Sequence, residues 1–442
     1  MMPVRSYFSV CSSKLFWLKE SIMHRNINRV WRECASVETM RPESVQRCSA
    51  EKLASVLRHA TETVPFYANL KGRNVTIADF PVIEKKDIRG REEEFVSSTA
   101  DKSKISWART SGSTGEPFRF GRSEFDYTYA TLWRGLLRYG IRPGDKRVLV
   151  KGVDESAQVS WRTRLRRRIY GWVNRCIVVD AHFLAKSEAN ILFELKRIVA
   201  YKPDYLHGYV SSIYLLARTA DEHGINLAAL KVKAIVTESE KCHSFQRVVM
   251  ERVFNAPVVE NYGCVEFGMI AQPAKDGSLC VNEDHVLVEA DNEGNAIITN
   301  LDEYAFPLIR FKNGDKLKLG PVHAELPYRT VAELDGRSAE TIHLPQGGSL
   351  QGYIVMYPIS KHMTVLKAYQ VYQPDVGHLK IRLQPTAETV PQAVQDQIVS
   401  EMREIVGRGM AIGIEIVSAI PLTKRGKRAF VVSDVRKQGR CL

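Results

Sequence analysis

Apolar positions recur every three to four residues over 50–70, where Leu53, Val56, Leu57 and Ala60 share one face of a predicted helix. Pro65 then turns the chain into Phe66-Tyr67. The helical period returns over 124–140 and stops at Gly140; Arg142-Pro143-Gly144-Asp145 reads as a turn into the strand 147–151. Helices are predicted over 188–200, 211–222 and 243–254, alternating with the strand 232–237 and the short apolar run Val258-Val259. Short apolar strands alternating with amphipathic helices predict an α/β fold with largely parallel sheets.

From about residue 279 the texture becomes short strands and turns, at 285–290, 295–300, 316–319 and 328–334, which predicts a smaller β subdomain. After the turn Asp335-Gly336-Arg337 come a strand at 378–384, a helix at 391–407, a strand at 412–417 and a basic loop. That is an α+β module of about a hundred residues, a size that suits a separate domain. The expected organisation is a helical extension over 1–50, a large domain over 51–335 and a small domain over 336–442.

The 442 residues are too many for one ordinary core. Lys and Arg total 63 against 50 Asp and Glu, a net charge of +13, which favours anionic partners such as nucleotides, CoA or acidic lipid. The sharpest charge feature is Arg162, Arg164, Arg166, Arg167 and Arg168, interleaved with Trp161, Tyr170 and Trp172. It reads as a solvated helix face, a site for carrier phosphates or a peripheral contact with anionic membrane. No recognition motif for nucleic acid accompanies it. The eight cysteines are scattered with no Cys-x-x-Cys pair, which predicts reduced thiols in a cytoplasmic protein. No stretch approaches the roughly 20 apolar residues of a spanning helix. A homodimer stays open.

The most informative short segment is Thr110-Ser111-Gly112-Ser113-Thr114-Gly115-Glu116-Pro117. Hydroxyls set between glycines give a loop whose backbone N–H groups can approach phosphate oxygens closely. It is not a Walker loop, since no Gly-Lys-Ser/Thr follows.

Four further segments give this loop company: Asn261-Tyr262-Gly263-Cys264-Val265-Glu266, Pro307–Asp315, Gly336-Arg337-Ser338-Ala339-Glu340-Thr341-Ile342 and Pro421–Lys427. In order, the five resemble the motifs of the adenylate-forming (ANL) superfamily. Val64-Pro65-Phe66-Tyr67, His207–Ser212 and Thr237-Glu238-Ser239-Glu240 bring the chain closest to its phenylacetate–CoA ligase-like group, and to the CapK-type capsule-biosynthesis branch within that group. The resemblance implies ATP-dependent conversion of a carboxylic acid to an adenylate, then transfer to CoA. It also implies roles: Thr110, Ser111, Gly112, Ser113, Thr114 and Gly115 on the ATP phosphates, Tyr262 and Gly263 at adenine, Asp315 on the ribose, and Arg337 on the ribose or phosphates. Glu266 would be the Mg²⁺ carboxylate and, with Lys427, the catalytic pair; the 336–342 segment would be a hinge for the small domain.

The chain departs from the family pattern at Val265, where a hydroxyl is usual, at Asn313, which replaces a Thr, and at Glu340, which replaces an Asp. Two alternatives therefore stand beside the leading reading. One is transfer of the acyl group to an amine or hydroxyl during surface polysaccharide assembly. The other is a degenerate member that only binds nucleotide.

Overall fold

The computed structural model describes residues 18, 27–111, 117–123, 126–152, 171–335, 341–347, 349–407, 409–422 and 428–435. The chain divides into two compact units, a larger one up to Leu334, apart from short pieces around 152 and 181, and a smaller one from Asp335 onward.

The larger unit holds two main sheets. One has five strands in the spatial order Cys176–Asp180, Arg147–Lys151, Tyr205–Tyr209, Ile235–Glu238 and Val258–Glu260. The last four are joined by parallel ladders. Parallel strands need crossovers, and the helices Val210–Glu222 and Ser244–Phe254 supply them. Tyr205, Ala234, Val236 and Val259 on one face of the sheet pack with Trp133 and Leu136 of the helix Asp126–Leu137. This is why these strands read as short, almost uninterrupted apolar runs.

The other sheet has seven strands, in the order Val286–Ala290, Asn295–Asn300, Phe311–Val322, Arg329–Asp335, Leu279–Val281, Gly268–Pro273 and Tyr262–Cys264. Its assigned neighbours pair antiparallel. Phe267, Ile270, Ile298, Phe306 and Phe311 form its core. The hairpin Ser106–Ser111 with Pro117–Arg122 pairs Ser111 with Pro117, so it brackets the glycine-rich segment.

The first predicted helix differs in extent. It runs Pro42–Thr63, and a 3-10 turn over Pro65–Leu70 follows. Pro42 sits at the helix start, where a missing N–H costs nothing, and Pro65 cannot continue the helix. The helix therefore passes residue 50 unbroken. An earlier helix, Ile27–Val37, packs Val30 and Cys34 on Ala130.

The smaller unit is a four-stranded sheet in the order Ala411–Ile416, His378–Pro385, Leu366–Asp375 and Val431–Ser433. The helices Gly352–Ser360 and Gln392–Val406 accompany it, and Val355, Ile359, Val371, Ile381, Ile398 and Met402 fill its core. Among the described residues, no helix is long and apolar enough to cross a membrane.

Candidate active site

Tyr262 starts an edge strand of the antiparallel sheet, and its ring is buried in that sheet's core. Its hydroxyl donates to Asp315 Oδ2 at 2.9 Å. Asn313 Nδ2 donates to the same carboxylate oxygen at 2.7 Å and to the Tyr262 hydroxyl at 3.1 Å. The Asp315 N–H closes the set on Asn313 Oδ1 at 3.0 Å. Burial, then the Asp315 charge, raises the Tyr262 phenol well above its usual pKa, so it stays a donor. Two sequence segments 51 positions apart thus form one preset triad, and Asn313 is a member that sequence reading noted only as a substitution.

Glu266 lies in the turn between the strands Tyr262–Cys264 and Gly268–Pro273. The turn is tight enough to dictate its glycines. A Cβ on Gly263 would run into the Gly268 carbonyl oxygen, and Gly268 has φ +70 with Thr128 against it. Glu266 is buried, with Lys85 Nζ 3.8 Å from Oε1. Burial, with the Glu266 charge second, pushes the Cys264 thiol well above its usual pKa. Arg122 donates to the Val265 carbonyl at 3.1 Å and to Thr128 at 3.1 Å. The Val265 side chain is exposed. Among the described residues no cluster of three His, Cys, Asp or Glu could hold a metal alone. A single carboxylate still fits Mg²⁺, which takes one or two carboxylates and completes its shell with phosphate and water oxygens.

A buried ionic frame braces this turn from behind, and the sequence did not reveal it. His285 Nε2 meets the Phe267 carbonyl at 3.0 Å, while Nδ1 meets Asp302 at 2.5 Å. Lys52 donates to Asp302 at 2.7 Å and to the Asp284 carbonyl at 2.8 Å. Arg134 grips Asp284 bidentately, at 2.6 and 2.9 Å, and donates to Asn282 at 2.9 Å. Burial would raise the Asp284 carboxyl, but the Arg134 guanidinium outweighs it and holds the pKa below the usual range.

The C-terminal edge of the parallel sheet carries a second polar group. His207 Nε2 is 3.0 Å from Glu238 Oε2. Glu240 accepts from the Ser211 N–H at 2.8 Å and from its hydroxyl at 3.0 Å. Glu260 accepts from the Cys242 N–H at 2.8 Å and pairs with Arg247 at 3.2 Å; burial raises its pKa. The Asn261 N–H continues the ladder to the Thr237 carbonyl at 3.0 Å. Both amide atoms of the buried Asn261 side chain lack a hydrogen-bond partner, as does His207 Nδ1. Sequence reading singled out the 207–212 and 237–240 segments but gave them no role.

The structure brings together Tyr262, Gly263, Glu266 and Asp315 within one sheet. Thr110 and Ser111 end a hairpin strand. Gly112, Ser113, Thr114, Gly115, Arg337, Glu340 and Lys427, and the arginine run 162–168, lie outside the described residues. The six described cysteines are free.

Residues 345–434 match the CapK C-terminal domain family. Protein CapK of Staphylococcus aureus is 24% identical over 385 residues, covering 83% of each chain. The phenylacetate–coenzyme A ligase of Aromatoleum evansii is 23% identical over 450 residues, covering 91% of this chain and 97% of its own. Among solved structures, 2-hydroxyisobutyryl-CoA ligase with an acyl-AMP bound superposes with a TM-score of 0.69 at 18% identity, over 90% of this chain and 91% of its own. This chain is thus similar along most of its length to CapK and to a phenylacetate–coenzyme A ligase, matches the CapK C-terminal domain over 345–434, and shares the fold of 2-hydroxyisobutyryl-CoA ligase.

Proposed function

We propose that this protein uses ATP to turn a carboxylic acid into an acyl- or aryl-adenylate and then passes the acyl group to coenzyme A. The observation that carries the reading is the Tyr262–Asn313–Asp315 triad, set in the same sheet as the buried, braced turn of Glu266. Asp315 offers acceptors for ribose hydroxyls, and Tyr262 both orients that carboxylate and walls the adenine side. Glu266 would hold Mg²⁺, which when bound neutralises charge on the ATP phosphates. Lys85, whose Nζ lies 3.8 Å from Glu266, exchanges that contact for phosphate oxygens as ATP enters.

The remaining roles belong to the segments that bracket this core. The 110–115 segment cradles the β- and γ-phosphates, and Arg337 supports the ribose or phosphates. Lys427 bridges the acid carboxylate and the α-phosphate as pyrophosphate leaves, where preorganised charge is worth most. The unit from Asp335 onward then turns about 336–342 to admit CoA. A second reading, transfer to an amine or hydroxyl of a surface polysaccharide, draws support from the CapK C-terminal match over 345–434.

The test is calorimetry of ATP binding with and without Mg²⁺. Glu266→Gln is expected to weaken Mg·ATP by about tenfold or more, a charge-assisted contact being worth roughly twice a neutral one. Glu238→Gln, on the parallel-sheet edge, is expected to leave it within about twofold. Equal losses from the two substitutions would remove Glu266 from its metal role.

A further inference from the structure

We infer that Gln370 and Arg382 are positioning residues for adenylation, holding the stem of the loop that carries Lys427. The inference rests on the adenylation reading and adds the groups that set where its lysine sits. Its starting point is one rung of the sheet in the smaller unit. Gln370 pairs in register with Arg382, and Arg382 with Glu415, so the three project from one face of adjacent strands. Their neighbours Tyr369, Val371, Ile381 and Ile414 point the other way, into or against the core.

A continuous hydrogen-bonded chain runs along that rung. Arg382 donates from Nε to Glu415 Oε2 at 3.1 Å and from Nη1 to Gln370 Oε1 at 2.9 Å. Gln370 Nε2 then donates to the Ala429 carbonyl at 2.9 Å. The amide can point only this way, because a guanidinium only donates and a carbonyl only accepts. Lys380 also pairs with Glu415, at 3.0 Å, and the Arg382 guanidinium lies 4.4 Å from the centroid of the Tyr372 ring. The Tyr372 hydroxyl in turn donates to Asp434 at 2.6 Å. A carboxylate and an aromatic ring thus fix Arg382 before it reaches Gln370.

The chain ends where the sheet's own ladder runs out. The strand Val431–Ser433 is only three residues long, and the Val371 N–H donates to the Phe430 carbonyl just before it. Ala429 lies one residue nearer the loop, and the Gln370 amide takes its carbonyl. A bridge between Leu422 and Arg428 then closes the mouth of the loop. Lys427 is therefore next in sequence to a bridged residue and two from one held by a buried side chain. Glutamine is seldom fully buried, and here both ends of its amide are used. Misplacing a reacting group by about 1 Å costs on the order of 10²-fold in rate, so a lysine on a loop needs a stiff stem.

The experiment is a double-mutant cycle of Gln370→Met and Lys427→Ala in the full chain, read as ATP–pyrophosphate exchange with phenylacetate, benzoate and butyrate. Gln370→Met alone is expected to lower kcat about tenfold and to leave the KM for ATP within about twofold. In the Lys427→Ala background it is expected to change kcat by less than about twofold, since a group that acts through Lys427 has nothing left to position. Gln370→Glu keeps an acceptor for Arg382 but loses the donor to Ala429, and should match Gln370→Met. Hydrogen exchange at the Val371 amide needs no substrate and is expected to quicken about fivefold in both variants. Losses that multiply in the cycle, or kcat within about twofold of wild type in both Gln370 variants, overturn the inference and leave adenylation standing. So does unchanged hydrogen exchange at Val371. A silent Lys427→Ala, or no pyrophosphate exchange with any acid, overturns the adenylation reading and this inference with it.

Discussion

The two sheets of the larger unit handle polar groups in opposite ways. Around the antiparallel sheet the candidate nucleotide residues arrive already bonded: Tyr262, Asn313 and Asp315 to one another, and the Glu266 turn to His285 and Arg122. In the parallel half, His207 in mid-strand and Asn261 just past the strand Val258–Glu260 keep polar atoms with no partner. The first arrangement fixes geometry before any ligand arrives, which suits a nucleotide that is the same in every turnover. The second carries the cost of buried polar groups left unbonded. Preorganisation and unmet demand thus sit on neighbouring strands, with Asn261 and Tyr262 as the point of change.

The largest expected effect comes from breaking the frame behind the antiparallel half. Arg134→Ala leaves the buried Asp284 carboxylate without its bidentate partner, and such a loss costs roughly 3–5 kcal/mol. Denaturant unfolding would measure it. A change below about 1 kcal/mol would mean that the frame does not brace the fold. If the two halves do different jobs, a milder variant that still folds should weaken ATP binding more than acid selectivity.

A smaller effect distinguishes the halves by pH. His243, at the start of the helix Ser244–Phe254 in the parallel half, has its pKa lowered from 6.5 to about 4, by burial first and by Lys241 second. The folded state keeps this ring neutral while the unfolded chain protonates it. Its contribution is therefore fully present above pH ~6.5 and is lost as pH falls toward ~4, on the order of 2–3 kcal/mol. His243→Asn retains a residue suited to the helix start and removes the titration. Melting temperatures across pH 4 to 7 should fall less steeply in the variant (roughly 2–3 kcal/mol less over this window); an identical slope would refute the assignment.

Smaller still is Tyr262→Phe. It deletes one of two bonds to the same Asp315 oxygen, Asn313 keeping the other, and is expected to weaken ATP by about 1.5 kcal/mol, the low end for a hydrogen bond to a charged group. Acid selectivity should stay unchanged. A variant that instead alters the ranking of acids would erase the proposed boundary between the halves.

What the sequence showed and hid follows from the range of each signal. The helices Glu188–Tyr201, Val210–Glu222 and Ser244–Phe254 lie within two residues of their expected bounds, because amphipathic period is local. The strand Asn295–Asn300 lies where alternation put it. The strand Gly268–Pro273 was hidden, since Gly and Pro at its ends read as loop, and Leu279–Val281 is only three residues long. At the candidate site, motifs singled out Tyr262, Glu266 and Asp315, which the fold brings to one sheet. The partners that hold them were not legible: Arg134 and Asp284 are 150 positions apart, and Lys52 and Asp302 are 250 apart. No local pattern encodes such pairs. Asn261 was visible as a letter in a motif, but its unmade bonds exist only in the fold.

The most direct test of the account is rapid-quench measurement of the two half-reactions in Lys427→Ala, with Lys424→Ala as the control. Adenylate formation is expected to fall by roughly 10²-fold or more in Lys427→Ala, while transfer from a presynthesised adenylate survives and Lys424→Ala stays close to wild type. Equal losses at the two lysines, or equal losses in both half-reactions, would contradict the proposed adenylation mechanism.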